Sequence, residues 1–263
     1  MSQTETPNWA TYVATTEPTE HERLRLLQEA FDPGSVALID RAGVRPGWDC
    51  LEVGAGAGSV ARSLARRAGA AHVTATDLST DFLAPLAETG IRVLRHDVTV
   101  DEQPGEFDLI HTRLVLEHVV ERERTLARLA SWLRPGGWLL VESASPVPDL
   151  SSVPAVARCL GAVSSVLGET VGTDSLWARR LPLPLEAAGL VDCHADGHLA
   201  AIRGGSPMAA WMAATLGLVE TTALETGAVT EQDLSEAYAA YDNPSFVDYT
   251  WLMVSATGRR APV

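Results

Sequence analysis

Cys50-Leu51-Glu52-Val53 is an apolar run carrying one acid, and it leads straight into three alternating glycines, Gly54, Gly56 and Gly58, after which residues 59–68 take up helical spacing. A strand that enters a helix through so many glycines turns sharply. It brings bare backbone within reach of a ligand, because no Cβ blocks the approach and left-handed dihedrals are open to glycine. The first N–H groups of the following helix point at the same gap. Asp77 closes the next apolar stretch, Val73-Thr74-Ala75-Thr76, where a carboxylate can accept both hydroxyls of a ribose. Together these features imply a site for a nucleoside-bearing ligand.

Spacing narrows the ligand. The dinucleotide fingerprint is G-x-G-x-x-G, with a pyrophosphate seated on the helix N-terminus. This chain reads Glu-x-Gly-x-Gly-x-Gly instead, with the acid on the strand. A carboxylate there suits a cationic or amino-bearing ligand and repels pyrophosphate. The segment Leu51–Gly58 resembles the first motif of the class I S-adenosylmethionine-dependent methyltransferases. Two further segments fit the same family, Phe107-Asp108-Leu109-Ile110-His111-Thr112-Arg113-Leu114-Val115-Leu116-Glu117-His118 and Leu133-Arg134-Pro135-Gly136-Gly137-Trp138-Leu139-Leu140-Val141-Glu142. The resemblance spans about residues 30–145.

That resemblance implies S-adenosylmethionine as cofactor and S-adenosylhomocysteine as product. It places Glu52 toward the methionyl amino end and the backbone of Gly54, Ala55 and Gly56 against methionine and ribose. Asp77, followed by Leu78, would take the ribose; Asp97 would accept from the adenine amine, with Val98 supplying a backbone N–H. Carbonyls around Thr112 and Arg113 would face the methionine amine and the pocket mouth.

Alternating strands and helices support an α/β, Rossmann-like architecture: a seven-stranded, mostly parallel sheet with an antiparallel last strand. The pattern gives strands at 48–53, 71–76, 91–95, 107–111, 137–142, 190–196 and 246–257, with helices at 59–68, 80–88, 121–133 and 177–188. Two helices broken at Asp32-Pro33-Gly34 are expected before the first strand. Residues 206–242 read as two more helices, the second opening with a capping signal at Thr230. One domain over 1–263 is expected, with an N-terminal helical arm or cap at 1–45, a cofactor core at 46–145 and a helical insertion at 204–245. Residues 1–20 and 206–242 are expected to close over the substrate.

At 263 residues the chain can bury a large core without disulfide or metal staples. A net charge of −14 argues against nucleic acid as a partner, since a phosphate-tracking surface needs clustered cations. The absence of a visible signal or membrane-spanning stretch, and three scattered cysteines, fit a cytoplasmic protein with buried thiols. Oligomeric state stays open, a homodimer being one option.

Other residues carry two readings each. His118 is either a general base acting on the acceptor or a structural, pocket-lining residue. Trp9, Tyr12, His111, Trp177 and Trp211 either line a substrate wall or pack the fold. Asp192, His194 and Asp196 alternate along one strand like metal ligands, but Gly197 breaks the run and a solvated strand face is simpler, so no metal is expected. The wider pattern, including residues 202–207, 242–244 and 258–260, is similar to actinobacterial methyltransferases of natural-product or quinone-like substrates. A small-molecule acceptor follows from that likeness; a fold recruited for cyclisation, or a binding protein, are the rivals.

Overall fold

The sheet has the strand order β3-β2-β1-β4-β5-β9-β6. Its strands are β1 (Cys50–Val53), β2 (Val73–Asp77), β3 (Arg92–Arg95), β4 (Phe107–Arg113), β5 (Leu133–Pro146), β6 (Val191–Leu199) and β9 (Trp251–Arg259). A separate two-stranded sheet pairs β7 (Ile202–Arg203) with β8 (Val247–Asp248). The first five strands pair in parallel, from β3 through β5. β9 runs the other way: Gly136 and Gly137, early in β5, exchange backbone bonds with Arg260 just beyond its end, whereas Val147 bonds Thr250 just before its start. Strand order reverses beside β1, and ligands of such sheets bind outside the carboxyl ends of the strands at that switch point.

This computed structural model describes residues 19–263, so Trp9 and Tyr12 lie outside the described residues. The helices are α1 (Thr19–Ala42), α2 (Ser59–Ala68), α3 (Ala84–Ala87), α4 (Arg122–Ser131), α5 (Pro154–Val171), α6 (Leu183–Ala187), α7 (Pro207–Glu225) and α8 (Glu231–Asp242). In α2 the spacing of Val60, Ala61, Leu64 and Ala68 turns one face into the core, and Arg62, Arg66 and Arg67 take the other. Leu38 and Ile39 of α1 join Cys50, Leu109 and Leu140 in the same cluster. Burial pushes the Cys50 thiol up to about 12, which leaves it an inert part of that core.

Two compact units result. One, residues 31–143, 177–197 and 253–263, holds most of the sheet. The other contains residues 144–176 and 198–252, where α5, α7 and α8 pack on one another. Within it Arg158 donates to Asp233 at 2.8 Å, and Asp233 completes a capping box with Thr230 at the start of α8. Among the described residues no helix is long and apolar enough to cross a membrane.

Several elements differ from the sequence expectation. Residues 144–176, which fit no simple alternation, contain the 18-residue helix α5. The expected helix at 177–188 divides into a 3-10 turn, Trp177–Arg180, and the short α6. The expected last strand at 246–257 is two strands in two sheets, β8 and β9. Most tellingly, α1 is one continuous helix with Pro33 inside it, not two. A proline in a helix interior removes a hydrogen bond and crowds the carbonyl of the preceding turn, so tertiary contacts of its neighbours must hold it there.

Pro33→Ala should therefore raise stability by about 1–3 kcal/mol, the order of a relieved interior proline. Urea denaturation reads the change directly; an unaltered midpoint would mean that the helix is not continuous through this position.

Candidate functional site

The glycine turn after β1 is fixed by its own amides. Gly54, Gly56 and Gly58 all have positive φ, at 69°, 54° and 80°. The N–H groups of Gly54 and Ala55 both donate to the Thr76 carbonyl, at 2.8 and 3.0 Å, and that of Gly58 donates to Ala55 O at 2.8 Å. Gly56 N–H donates to Asp77 Oδ2 at 2.8 Å, so the acid at the end of β2 braces the turn. Across the switch point β4 is followed by Leu114, a non-glycine residue at φ 55°. That left-handed residue turns the chain so that Val115 lies against the turn, where a Cβ on Gly54 would overlap its Cγ2. Gly54 is thus required twice, by its dihedral and by its neighbour.

Most of the other expected cofactor residues fall at carboxyl ends of strands. Asp77 ends β2 and Leu78 follows it; the Leu78 carbonyl accepts from Arg95 Nε at 3.1 Å. Asp97 and Val98 follow β3; Asp97 Oδ1 accepts from the Thr99 N–H and hydroxyl at 2.9 and 2.6 Å. Thr112 is buried in β4, and its hydroxyl oxygen has no hydrogen-bond partner among the described residues. Parallel register places Glu52 opposite His111 and Arg113 opposite Glu142, so these four side chains share one face of the sheet.

On that face lies a buried ionic network. His111 is fully enclosed, with Nδ1 2.7 Å from Glu52 Oε2 and Nε2 3.1 Å from Glu142 Oε2. With both carboxylates ionised and able only to accept, an imidazole bonded to one at each nitrogen donates twice and is an imidazolium. Burial opposes that charge, but the Glu52 and Glu142 carboxylates outweigh it and raise the His111 pKa to about 9. Burial pushes Glu52 upward against the pull of His111 and Arg113. Glu142, equally enclosed, is held below its usual range because bonds from His111 and Ser35 and the charge of Arg113 overcome burial.

The network continues into two helices. Ser35 of α1 donates to Glu142 Oε2, and Ser255 of β9 donates to Oε1 at 3.0 Å. Arg113 donates to Ser35 Oγ at 2.8 Å and to Asp32 Oδ1 at 3.0 Å. Asp32 also accepts from Ser59, the first residue of α2, at 2.9 Å. Pro33 therefore sits between two residues that both hold the site.

The remaining expected residues are dispersed. His118 ends a 3-10 turn, Leu116–His118, that follows β4 closely. Trp177 is buried in the sheet unit. Trp211, on α7 of the helical unit, packs edge-on against Trp251 at 5.1 Å. His194 and Asp196 are exposed and 3.2 Å apart, and among the described residues no group of three or more His, Cys, Asp or Glu is arranged to hold a metal.

Sequence reasoning missed Asp32, Ser35 and Ser255 as parts of the site, and it read Glu142 only as part of a motif. A usable signal was present: Glu52, His111 and Glu142 each follow apolar residues in a stretch read as buried strand, and charges there need partners.

The chain belongs to the methyltransferase-domain family, whose model matches residues 15–189. Among curated relatives, the ubiquinone biosynthesis O-methyltransferase of Aromatoleum aromaticum is 37% identical over 115 residues, 41% of this chain and 48% of that one. The chain thus aligns with about half the length of that relative. Phosphoethanolamine N-methyltransferase 2 of Haemonchus contortus, solved with phosphomonomethylethanolamine and S-adenosylhomocysteine, superposes with a TM-score of 0.63 at 17% identity. That match covers 98% of this chain and 61% of the other. A [4+2]-cyclase superposes with a TM-score of 0.56 at 16% identity, over 90% of this chain and 83% of its own. Such structural likenesses establish the Rossmann-like fold.

The His111 charge has a measurable cost and sign. Its folded pKa lies above the unfolded value near 6.5, so its contribution to stability is complete below pH 6.5 and is lost as pH rises through about 9. Unfolding free energy from urea titrations at pH 6 to 10 should fall by on the order of 3 kcal/mol across that window. A flat profile would mean that His111 is neutral in the folded protein.

Proposed function

We propose that the protein is an S-adenosylmethionine-dependent methyltransferase acting on a small-molecule acceptor, of the quinone or natural-product kind. The observation that carries this reading is the glycine turn at the switch point, with bare left-handed backbone on one side and the Asp77 carboxylate on the other. The turn suits the cofactor because glycine backbone carries no side chain to block a ligand's approach, and because the Asp77 carboxylate stands beside it.

In this reading the backbone of Gly54, Ala55 and Gly56 holds the methionyl and ribose portions, and Asp77 takes the ribose hydroxyls. Asp97 and the Val98 N–H take the adenine, and carbonyls at the end of β4 take the amine. The bound cofactor supplies an electrophilic methyl on a sulfonium. Transfer from such a group depends mainly on aligning nucleophile, methyl and sulfur, so the protein's contribution is orientation and exclusion of water. His118, on the turn after β4, accepts the acceptor's proton. The share of the chain matched by the quinone-pathway relative supports the acceptor class. A cyclase with the same fold supports a second reading, in which the site binds the cofactor but the chemistry is not methylation.

Candidate acceptors incubated with methyl-labelled cofactor should yield labelled product and S-adenosylhomocysteine in equal amounts; cofactor binding with product but no label transfer would favour the cyclase-like reading. Asp77→Ala should weaken cofactor affinity about tenfold or more, the worth of a charge-assisted contact. Asp77→Asn, which retains an oxygen to accept from Gly56 N–H, separates loss of ribose contacts from collapse of the turn. His118→Ala should lower turnover by about 100-fold or more if it is the base, and full turnover by the folded variant would leave catalysis to positioning alone.

A further inference from the structure

We infer that His111 is a positioning residue for the cofactor site: bonded at both ring nitrogens, it locks the Glu52 and Glu142 carboxylates together and so fixes the carboxyl ends of β1, β4 and β5 beneath the glycine turn. The inference rests on the cofactor reading above and changes the part played by Glu52. That carboxylate is buried and already bonded to an imidazolium at 2.7 Å. It acts on a ligand's amino group through the strand ends it organises, as the anionic half of an internal pair.

The connections from this ring to the turn are short. Glu52 is followed by Val53 and then Gly54, and the Leu114 N–H, just past Arg113, donates to the Glu142 carbonyl at 2.9 Å. Leu114 holds the positive φ that presses Val115 onto Gly54. Asp32 ties the same ring to Ser59, where the helix after the turn begins. A neutral imidazole has one donor. Its deprotonation would release one carboxylate and leave Glu52 and Glu142 facing each other without a cation between them. Among the described residues, the groups facing His111 and its partners are Glu52 of β1, Arg113 of β4, Glu142 of β5, Ser255 of β9, Asp32 and Ser35 of α1 and Ser59 of α2; Arg113 is the one cation among these, and it is engaged by Ser35 and Asp32. No other cation among these described residues replaces the lost charge.

The test has two arms on the full chain. Nitrogen-15 NMR of histidine-labelled, ligand-free protein should show His111 with both ring nitrogens protonated at pH 7.5; a neutral tautomer there overturns the inference without reference to any cofactor. Calorimetric titration with S-adenosylhomocysteine from pH 6 to 10 should show His111→Gln binding at least tenfold more weakly than wild type at pH 7, with the ratio of the two affinities approaching one above pH 9. Taking the ratio removes titration of the ligand's own amine. If His111→Gln does not fold, Glu142→Gln carries the same comparison, because it removes one of the two carboxylates that hold the proton. Wild-type binding that both variants reproduce at every pH sinks this inference alone. Absence of any binding by wild type sinks the cofactor reading and this inference with it.

Discussion

Burying the His111 imidazolium between two carboxylates is the constraint around which the sheet unit is arranged. Each ion, once enclosed, forfeits several kcal/mol of hydration, and only close, fully bonded partners offset that loss. Such groups cannot be left half satisfied. The requirement explains why Ser35 and Ser255 converge on the Glu142 carboxylate while Arg113 braces Ser35 and Asp32, and why Asp32 and Ser35 must stand one turn apart on an unbroken α1. Helix α1 tolerates Pro33 because breaking there would strand two of the partners.

A contrast within the same sheet makes the point. Near the amino ends of β1 and β4, Arg134 bridges Asp49 and Asp108 at 2.7 Å each, in a position open to solvent. Exposed pairs of that kind contribute little, because water already solvates both partners and salt screens them. The carboxyl-terminal network uses the same residue types where water is excluded, and its geometry is correspondingly exacting. The proposed cofactor site and the buried network fall on the same end of the sheet, where the switch point opens.

Left-handed backbone marks the same place. Three glycines and Leu114 adopt left-handed dihedrals within the two segments that meet at the turn, and the turn's amides are divided between Thr76, Ala55 and Asp77. A non-glycine residue held at positive φ persists only where its surroundings over-determine it. Beyond the family match at residues 15–189 lie α7 and α8, which carry none of these motifs. Their order comes from caps and apolar packing within the helical unit, the Asp233 capping box being the clearest case.

What the sequence determined by itself was whatever is encoded locally. The alternation of apolar runs and helical spacing specified the sheet, and Ser59–Ala68 coincides with its expected helix because the glycines before it and Gly69 after it are local signals. The glycine turn and Asp77 were equally legible, since both depend on residues near one another in the chain. Tertiary structure alone decided the continuity of α1, the division of residues 246–257 between two sheets, and the pairing of His111 with Glu52 and Glu142. Those outcomes depend on strand register and on contacts between residues such as Ser35 and Glu142, which are distant in sequence. Local propensity is worth a few tenths of a kcal/mol to about 3 kcal/mol per residue, and the cost of an unpartnered buried charge exceeds it.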